Sequence, residues 1–273
     1  ISDNDRNVNL RGKKEKKEYM FIIGERINGM FKDVAKAIKE KDKSVIQGLA
    51  LKQISCNANA LDVNVGPSSA NPKDAMEWLI KTIQEAADIS LAIDTTKQDV
   101  MELGLSLCKS KPIINSLNAN EEKMNSIFSL AKKYNASVIG LTMDKAGIPK
   151  DSEGRMELAM KIVASCVEHG IDTSELYLDG VILPVNVAQP HAKEVLKTIR
   201  DTKMLADPSP KTVLGLSNVS QGSSAQYKGL INRTFLAMAI ANGLDAAILD
   251  VTDKDLMDSL ITAELLMEKQ LYC

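Results

Sequence analysis

Short apolar runs alternate with helix-length amphipathic segments along nearly the whole chain. The runs occupy residues 21–23, 60–63, 91–93, 113–114, 137–141, 176–178, 213–216 and 246–249. Runs this short and this continuously apolar predict parallel strands buried on both faces. Between them the spacing changes to that of helices. Met76, Leu79, Ile80, Ile83 and Ala87 mark one face behind Asn71-Pro72, a cap residue followed by proline at the first helical position. Met124, Ile127, Ala131 and Tyr134 mark another behind Glu121-Glu122, and Met156, Met160, Val163 and Val167 a third, closed by Gly170.

Eight β-α units in 273 residues predict a closed (β/α)8 TIM barrel rather than an open doubly wound sheet. The first βα turn, Gly24-Glu25-Arg26-Ile27-Asn28-Gly29, lacks the GxGxxG pattern of a dinucleotide fold. Residues 1–19 differ: they are polar, carry Lys13-Lys14-Glu15-Lys16-Lys17-Glu18, and show no apolar period. They read as a tag or disordered leader before a single domain over residues 20–273.

Five of the apolar runs end in Asp or Asn: Leu61-Asp62-Val63-Asn64, Leu91-Ala92-Ile93-Asp94, Ile113-Ile114-Asn115, Leu176-Tyr177-Leu178-Asp179 and Val213-Leu214-Gly215-Leu216-Ser217-Asn218. Functional groups of a β/α barrel sit at the C-terminal ends of its strands. One such residue is as readily a helix N-cap as a ligand contact. Five around one ring predict a single pocket, to which Glu25, Asn28, Ser217 and Gln221 are further candidates.

Composition narrows the chemistry. Net charge is −2 and aromatics make up 4%, so neither nucleic acid nor an anionic membrane is an expected partner. No apolar stretch approaches the roughly 20 residues of a membrane span. The four cysteines have no zinc or CxxC spacing. They read as reduced thiols of a cytoplasmic protein, and no metal site is expected. A ring of carboxylates and carboxamides without a basic cluster suits a planar group rich in N–H donors, such as the 2-amino-4-oxopyrimidine edge of a pterin. A carboxylate accepts two parallel hydrogen bonds from that edge.

The segments Phe21-Ile-Ile-Gly-Glu-Arg-Ile-Asn28, Leu61-Asp-Val-Asn-Val-Gly66, Pro112-Ile-Ile-Asn-Ser116, Leu183-Pro-Val-Asn186, Gly215-Leu-Ser-Asn-Val-Ser-Gln221 and Ile231-Asn-Arg-Thr-Phe235 resemble the methyltetrahydrofolate:corrinoid protein methyltransferases. That family includes the acetogen enzyme acting on the corrinoid iron–sulfur protein and the tetrahydrofolate-side components of O-demethylase systems. The resemblance runs from about Met20 to the end of the chain. It implies a pterin-binding barrel in which Asp94, Asn115 and Asp179 hold the pterin and Asn218 sits near N5. Glu25, Asn28, Asp62, Asn64, Ser217 and Gln221 are secondary candidates. Tetrahydrofolate or 5-methyltetrahydrofolate is the implied substrate, a corrinoid on a separate protein the implied methyl partner, and a homodimer the implied assembly.

The implied chemistry is displacement by Co(I) on the N5 methyl group, with N5 gaining a proton. No His or Lys ends a strand to act as acid. The simplest expectation is a solvent proton, with the Asn218 amide oxygen accepting from N5–H⁺. Neither His169 nor His191 lies in the D-x-H-x-x-G context of a base-off corrinoid module, so the corrinoid is expected on another chain. Gly180, where similar proteins carry proline, predicts a looser loop after Asp179. The segment 222–229 also departs from the family pattern. Two other readings are a dihydropteroate synthase-like enzyme and a non-catalytic folate-binding subunit. The first expects a Ser-Arg-Lys-type segment where this chain has Gly215-Leu-Ser-Asn-Val-Ser.

Overall fold

The computed structural model describes residues 19–67 and 69–269. The expected leader lies outside the described residues except for its last position, Tyr19, which is exposed. Eight parallel strands close in sequence order: β1 Phe21–Asn28, β2 Ala60–Asn64, β3 Ser90–Asp94, β4 Ile113–Asn118, β5 Ser137–Leu141, β6 Leu176–Asp179, β7 Lys211–Gly215 and β8 Ala246–Leu249. Closure pairs Phe21 with Ala246 and Gly24 with Leu249. The (β/α)8 barrel predicted from the alternation is present.

Among the described residues ten α-helices surround it: α1 Lys32–Glu40, α2 Lys43–Ser55, α3 Pro72–Ala86, α4 Gln98–Leu107, α5 Glu121–Tyr134, α6 Ser152–Glu168, α7 Val185–Ala188, α8 His191–Thr202, α9 Ala225–Ala241 and α10 Lys254–Leu266. Asn71, Asn120, Asp151 and Asp253 accept backbone N–H bonds at the starts of α3, α5, α6 and α10. Each such cap contributes roughly 1 kcal/mol. Among the described residues no helix is long and apolar enough to cross a membrane.

Two apolar shells result from strand alternation. Leu61, Val63, Leu91, Ile93, Ile114, Val138, Leu178 and Leu214 face outward into the helices. Ile23, Ala60, Ala92, Ile113, Ile139, Tyr177, Val213 and Ala246 form a separate cluster inside the barrel. The interior is therefore a packed plug on which a site can be built.

Three boundaries differ from expectation. β1 continues through Asn28 and β4 through Asn118. Glu25, Asn28 and Asn115 thus lie within strands. Pairing to neighbouring strands carries the ladder past the apolar run, with a register shift in each case. β7 stops at Gly215, and Leu216–Ser220 forms a 3-10 turn. Ser217 and Asn218 accordingly sit on a turn above the barrel.

The buried face of α6 also differs. Met160 and Val167 are about half exposed, at 51% and 57%. Arg155, Leu158, Ala159, Ile162, Val163 and Cys166 face the barrel instead. A polar Arg155 broke the apolar pattern, and the predicted stripe was rotated around the helix as a result.

Candidate active site

Two residues beyond each interior apolar residue, the same strand face comes round again. From Ile23, Ala60, Ala92, Ile113, Tyr177 and Val213 this step reaches Glu25, Asp62, Asp94, Asn115, Asp179 and Gly215. The apolar plug is thus capped by polar residues at the C-terminal end of the barrel, where β/α barrels hold their sites. Four of the five apolar-run endings therefore point inward. One step further lies Asn64, and the same step from Ile248 reaches Asp250.

These groups are cross-linked. Asn115 Nδ2 donates to Asp62 Oδ1 at 2.9 Å, and Asn64 Nδ2 donates to Asp94 Oδ2 at 2.6 Å. Asn64 Oδ1 accepts from Gly66 N at 2.6 Å, which holds the β2–α3 turn. Asp179 accepts from Val181 N at 2.7 Å and Gly215 N at 3.3 Å. Glu25 accepts from Ser217 Oγ at 2.6 and 2.9 Å, tying β1 to the 3-10 turn.

Four acids gathered in a largely buried space have displaced titrations. Burial raises Asp179 to about 6, against the opposing pull of its two backbone N–H donors and Arg155. Burial also raises Glu25 to about 7, moderated by the Ser217 hydrogen bond and increased by the charge of Asp250. Asp62 is pushed well above the carboxylate range by burial and then by the neighbouring charge of Asp94. Asp94 is raised by burial and eased by Asn64. Asp62 is the more enclosed of that pair and keeps its proton longer.

Asn218 is exposed, and its Nδ2 lies 3.1 Å from where a Cβ on Gly215 would stand. Gly215 therefore leaves the space beneath the carboxamide open. Asn28 Oδ1 accepts from Met30 N at 2.9 Å and shapes the β1–α1 turn. Gln221 is exposed at the end of the 3-10 turn, outside the cross-linked set. A cavity of about 310 Å³ adjoins Asn64 and Asp94, bounded by Met30, Pro67, Thr95 and Lys97.

Two residues of the site escaped the sequence reading. Asp250 follows the apolar run of β8 and obeys the rule that found the others. Arg155 had no such signal. It is fully buried, yet its Nε donates to Gly180 O at 2.8 Å and its Nη1 to Asp151 O at 3.0 Å. Its Nη2 lies 2.8 Å from His191 Nδ1. Arginine can only donate, so Nδ1 is the acceptor and the imidazole proton is on Nε2. His191 is part of this clamp. The loop after Asp179, expected to be loose at Gly180, is held by it.

A family model described as pterin binding enzyme matches residues 27–250. The chain belongs to the pterin-binding enzyme family. Within reach of this family assignment, the chain is 28% identical over 260 residues to the methylcorrinoid:tetrahydrofolate methyltransferase of Eubacterium limosum, covering 93% of each. It is 25% identical over 240 residues to the methionine synthase of Mycobacterium tuberculosis, spanning 20% of that longer protein. Among solved structures, the dihydropteroate synthase of Clostridium difficile, in the presence of pteroic acid, matches with a TM-score of 0.67 at 16% identity. That match covers 93% of this chain and 99% of the other. The Yersinia pestis enzyme with a pterine-sulfa conjugate matches with a TM-score of 0.69 at 14% identity, covering 95% and 98%. At these identities the likeness is one of fold. Among the described residues no group of three or more His, Cys, Asp and Glu could hold a metal ion.

Proposed function

We propose that this enzyme transfers a methyl group between N5 of tetrahydrofolate and the cobalt of a corrinoid on a separate protein. The observation that carries this reading is the end-to-end likeness to the Eubacterium limosum methylcorrinoid:tetrahydrofolate methyltransferase. The donor set fits the pterin. Asp179 keeps free lone pairs beyond its two backbone bonds and accepts from the pterin's amino and ring N–H groups. Asn115 spends its N–H on Asp62, which turns its carbonyl oxygen toward further donors. Asp94 completes the recognition.

Asn218 is the catalytic contact in this reading. It stands at the solvent edge, above the opening that Gly215 leaves, where a corrinoid protein can approach. In the forward direction the N5–methyl bond breaks with its electron pair going to nitrogen, and N5 becomes N–H. A carboxamide oxygen accepting from that N–H strengthens as charge develops. Substrates are folate and the partner's corrinoid, and a cytoplasmic location belongs to the same reading. Flux toward tetrahydrofolate, as in O-demethylation, uses the same site.

The dihydropteroate synthase likeness is confined to the fold. The turn after β7 carries Ser217 and Asn218, without the basic segment that the rival reading expects. A homodimer is supported by an apolar groove of about 680 Å³ between α9 and α10. It exposes Met238, Leu266 and Met267 by 48%, 75% and 45%.

The test is methyl transfer between methyltetrahydrofolate and free cob(I)alamin, followed by corrinoid absorbance. Turnover that Asn218→Ala cuts by roughly 10²-fold supports the assignment. Absence of both turnover and folate binding refutes it.

A further inference from the structure

We propose that Glu25 is the proton donor to N5 in the direction of cobalt methylation and the proton acceptor in reverse, working through the Ser217 hydroxyl. This rests on the methyl-transfer reading above, and it replaces the solvent proton expected from sequence. The reaction needs one proton per turnover. The N5–CH3 bond breaks with its pair going to nitrogen, Co(I) supplies the pair for the new C–Co bond, and a proton converts N5 to a secondary amine. That proton must come from somewhere near the 3-10 turn.

The geometry singles out one acid. Asp62 and Asp94 are bonded to the carboxamides of Asn115 and Asn64, and Asp179 to two backbone N–H groups; none of these amide partners relays a proton. Neither histidine lies at a strand end: His169 caps the C-terminus of α6, and His191 opens α8, where its Nδ1 accepts from Arg155. Glu25 differs because its partner, Ser217, itself carries an exchangeable proton and directly precedes Asn218. A hydroxyl both donates and accepts, and its hydrogen rotates to suit. A protonated Glu25 donates to Ser217 Oγ, whose own proton then passes outward toward N5. The reverse reaction runs the same relay backward.

The groups facing Glu25 set its proton affinity. Arg26 on its own strand favours the charged form, whereas Asp250 beyond β8 disfavours it, and Asp62 on β2 interacts electrostatically with it. Ser217 also favours the anion, yet burial outweighs it and the acid titrates at about 7. A proton donor is most effective when its affinity lies near working pH.

A purely positioning role, fastening the 3-10 turn to β1, is separable. Glu25→Gln still accepts from Ser217 but holds no acidic proton, and Glu25→Asp keeps the acid. Single-turnover methyl transfer to cob(I)alamin is measured from about pH 5.5 to 8.5, with folate affinity determined in parallel. The wild-type rate should decline above about pH 7. Glu25→Gln should bind folate within about threefold, transfer methyl about 10²-fold more slowly, and lose the inflection. Glu25→Asp should restore part of the rate and an inflection. A Gln variant with wild-type rates overturns the proposal. So does one slowed equally at every pH with its inflection intact, which marks Glu25 as a positioning residue only. A wild-type chain that binds folate but transfers no methyl group overturns the underlying reading, and Glu25's role with it.

Discussion

Asn115 on β4 reaches across β3 to donate to Asp62 on β2 at 2.9 Å. The strand between presents Ala92 level with Asp62 and Asp94 level with Asn115. The bond fixes the carboxamide's orientation, with its nitrogen toward Asp62. It also binds a carboxylate that burial and Asp94 push well above its ordinary range. The most enclosed acid of the site thus holds the carboxamide of a neighbouring strand in place.

That support has a stability signature. Asp62 binds its proton more tightly in the folded chain than in the unfolded one, where an Asp titrates near 3.9. Its contribution is fully present below the unfolded value and is lost as pH rises through the folded one. Asp62→Asn should therefore raise the thermal midpoint at pH 8 relative to wild type, with a smaller gain at pH 5. Differential scanning fluorimetry at both pH values checks this. An equal change at both would show that the carboxyl's ionisation is not involved.

Folate affinity should fall at acid pH. Asp179 titrates at about 6 in the free site, and only its anion accepts two N–H bonds from the pterin. Above about pH 7 affinity should be flat, and below 6 it should fall by up to about tenfold per unit. Asp179→Asn should lose binding before rate and abolish this slope. Calorimetry across the range decides it, and unchanged affinity in the variant would remove Asp179 from the pterin site.

Asn218→Ala should separate binding from chemistry. A contact that strengthens only as charge develops costs little affinity when removed. Folate binding should stay within a few-fold while methyl transfer falls by roughly 10²-fold. Equal losses in both would place Asn218 among the ground-state contacts.

Gly215→Ala probes the same residue without touching it. The added Cβ stands 3.1 Å from Asn218 Nδ2 and 3.9 Å from Asp179 Oδ2. The first is tighter than an ordinary contact, so the carboxamide must shift. Transfer should slow by more than folate binding weakens. Wild-type kinetics would show that Asn218 has room to adjust.

Arg155→Met should destabilise the fold by roughly 3 kcal/mol, since the Gly180 carbonyl loses a charged donor. Chemical denaturation measures the loss. Folate affinity should drop as well, because Gly180 and Val181 belong to the loop that orients Asp179. A stable variant with normal affinity would show that the loop holds its shape unaided.

Much of this architecture is written locally. Eight short apolar runs separated by helical periods leave few arrangements for a chain of this length, and Asn71, Asn120, Asp151 and Asp253 start their helices through bonds to nearby backbone. Polar endings on apolar runs are equally local, which is why Asp62, Asp94, Asn115 and Asp179 were legible as candidates. What each does was decided by the closed barrel. Strand pairing extended β1 past Glu25 and ended β7 before Ser217. The two were then brought together from 192 positions apart. Arg155 was illegible for the same reason, because its partners at Gly180 and His191 come from other elements. Periodicity and caps depend on neighbours in sequence, whereas a proton affinity depends on whatever the fold packs around the group. Burial is a property of the assembled barrel, and only the assembled barrel could set Glu25 at about 7.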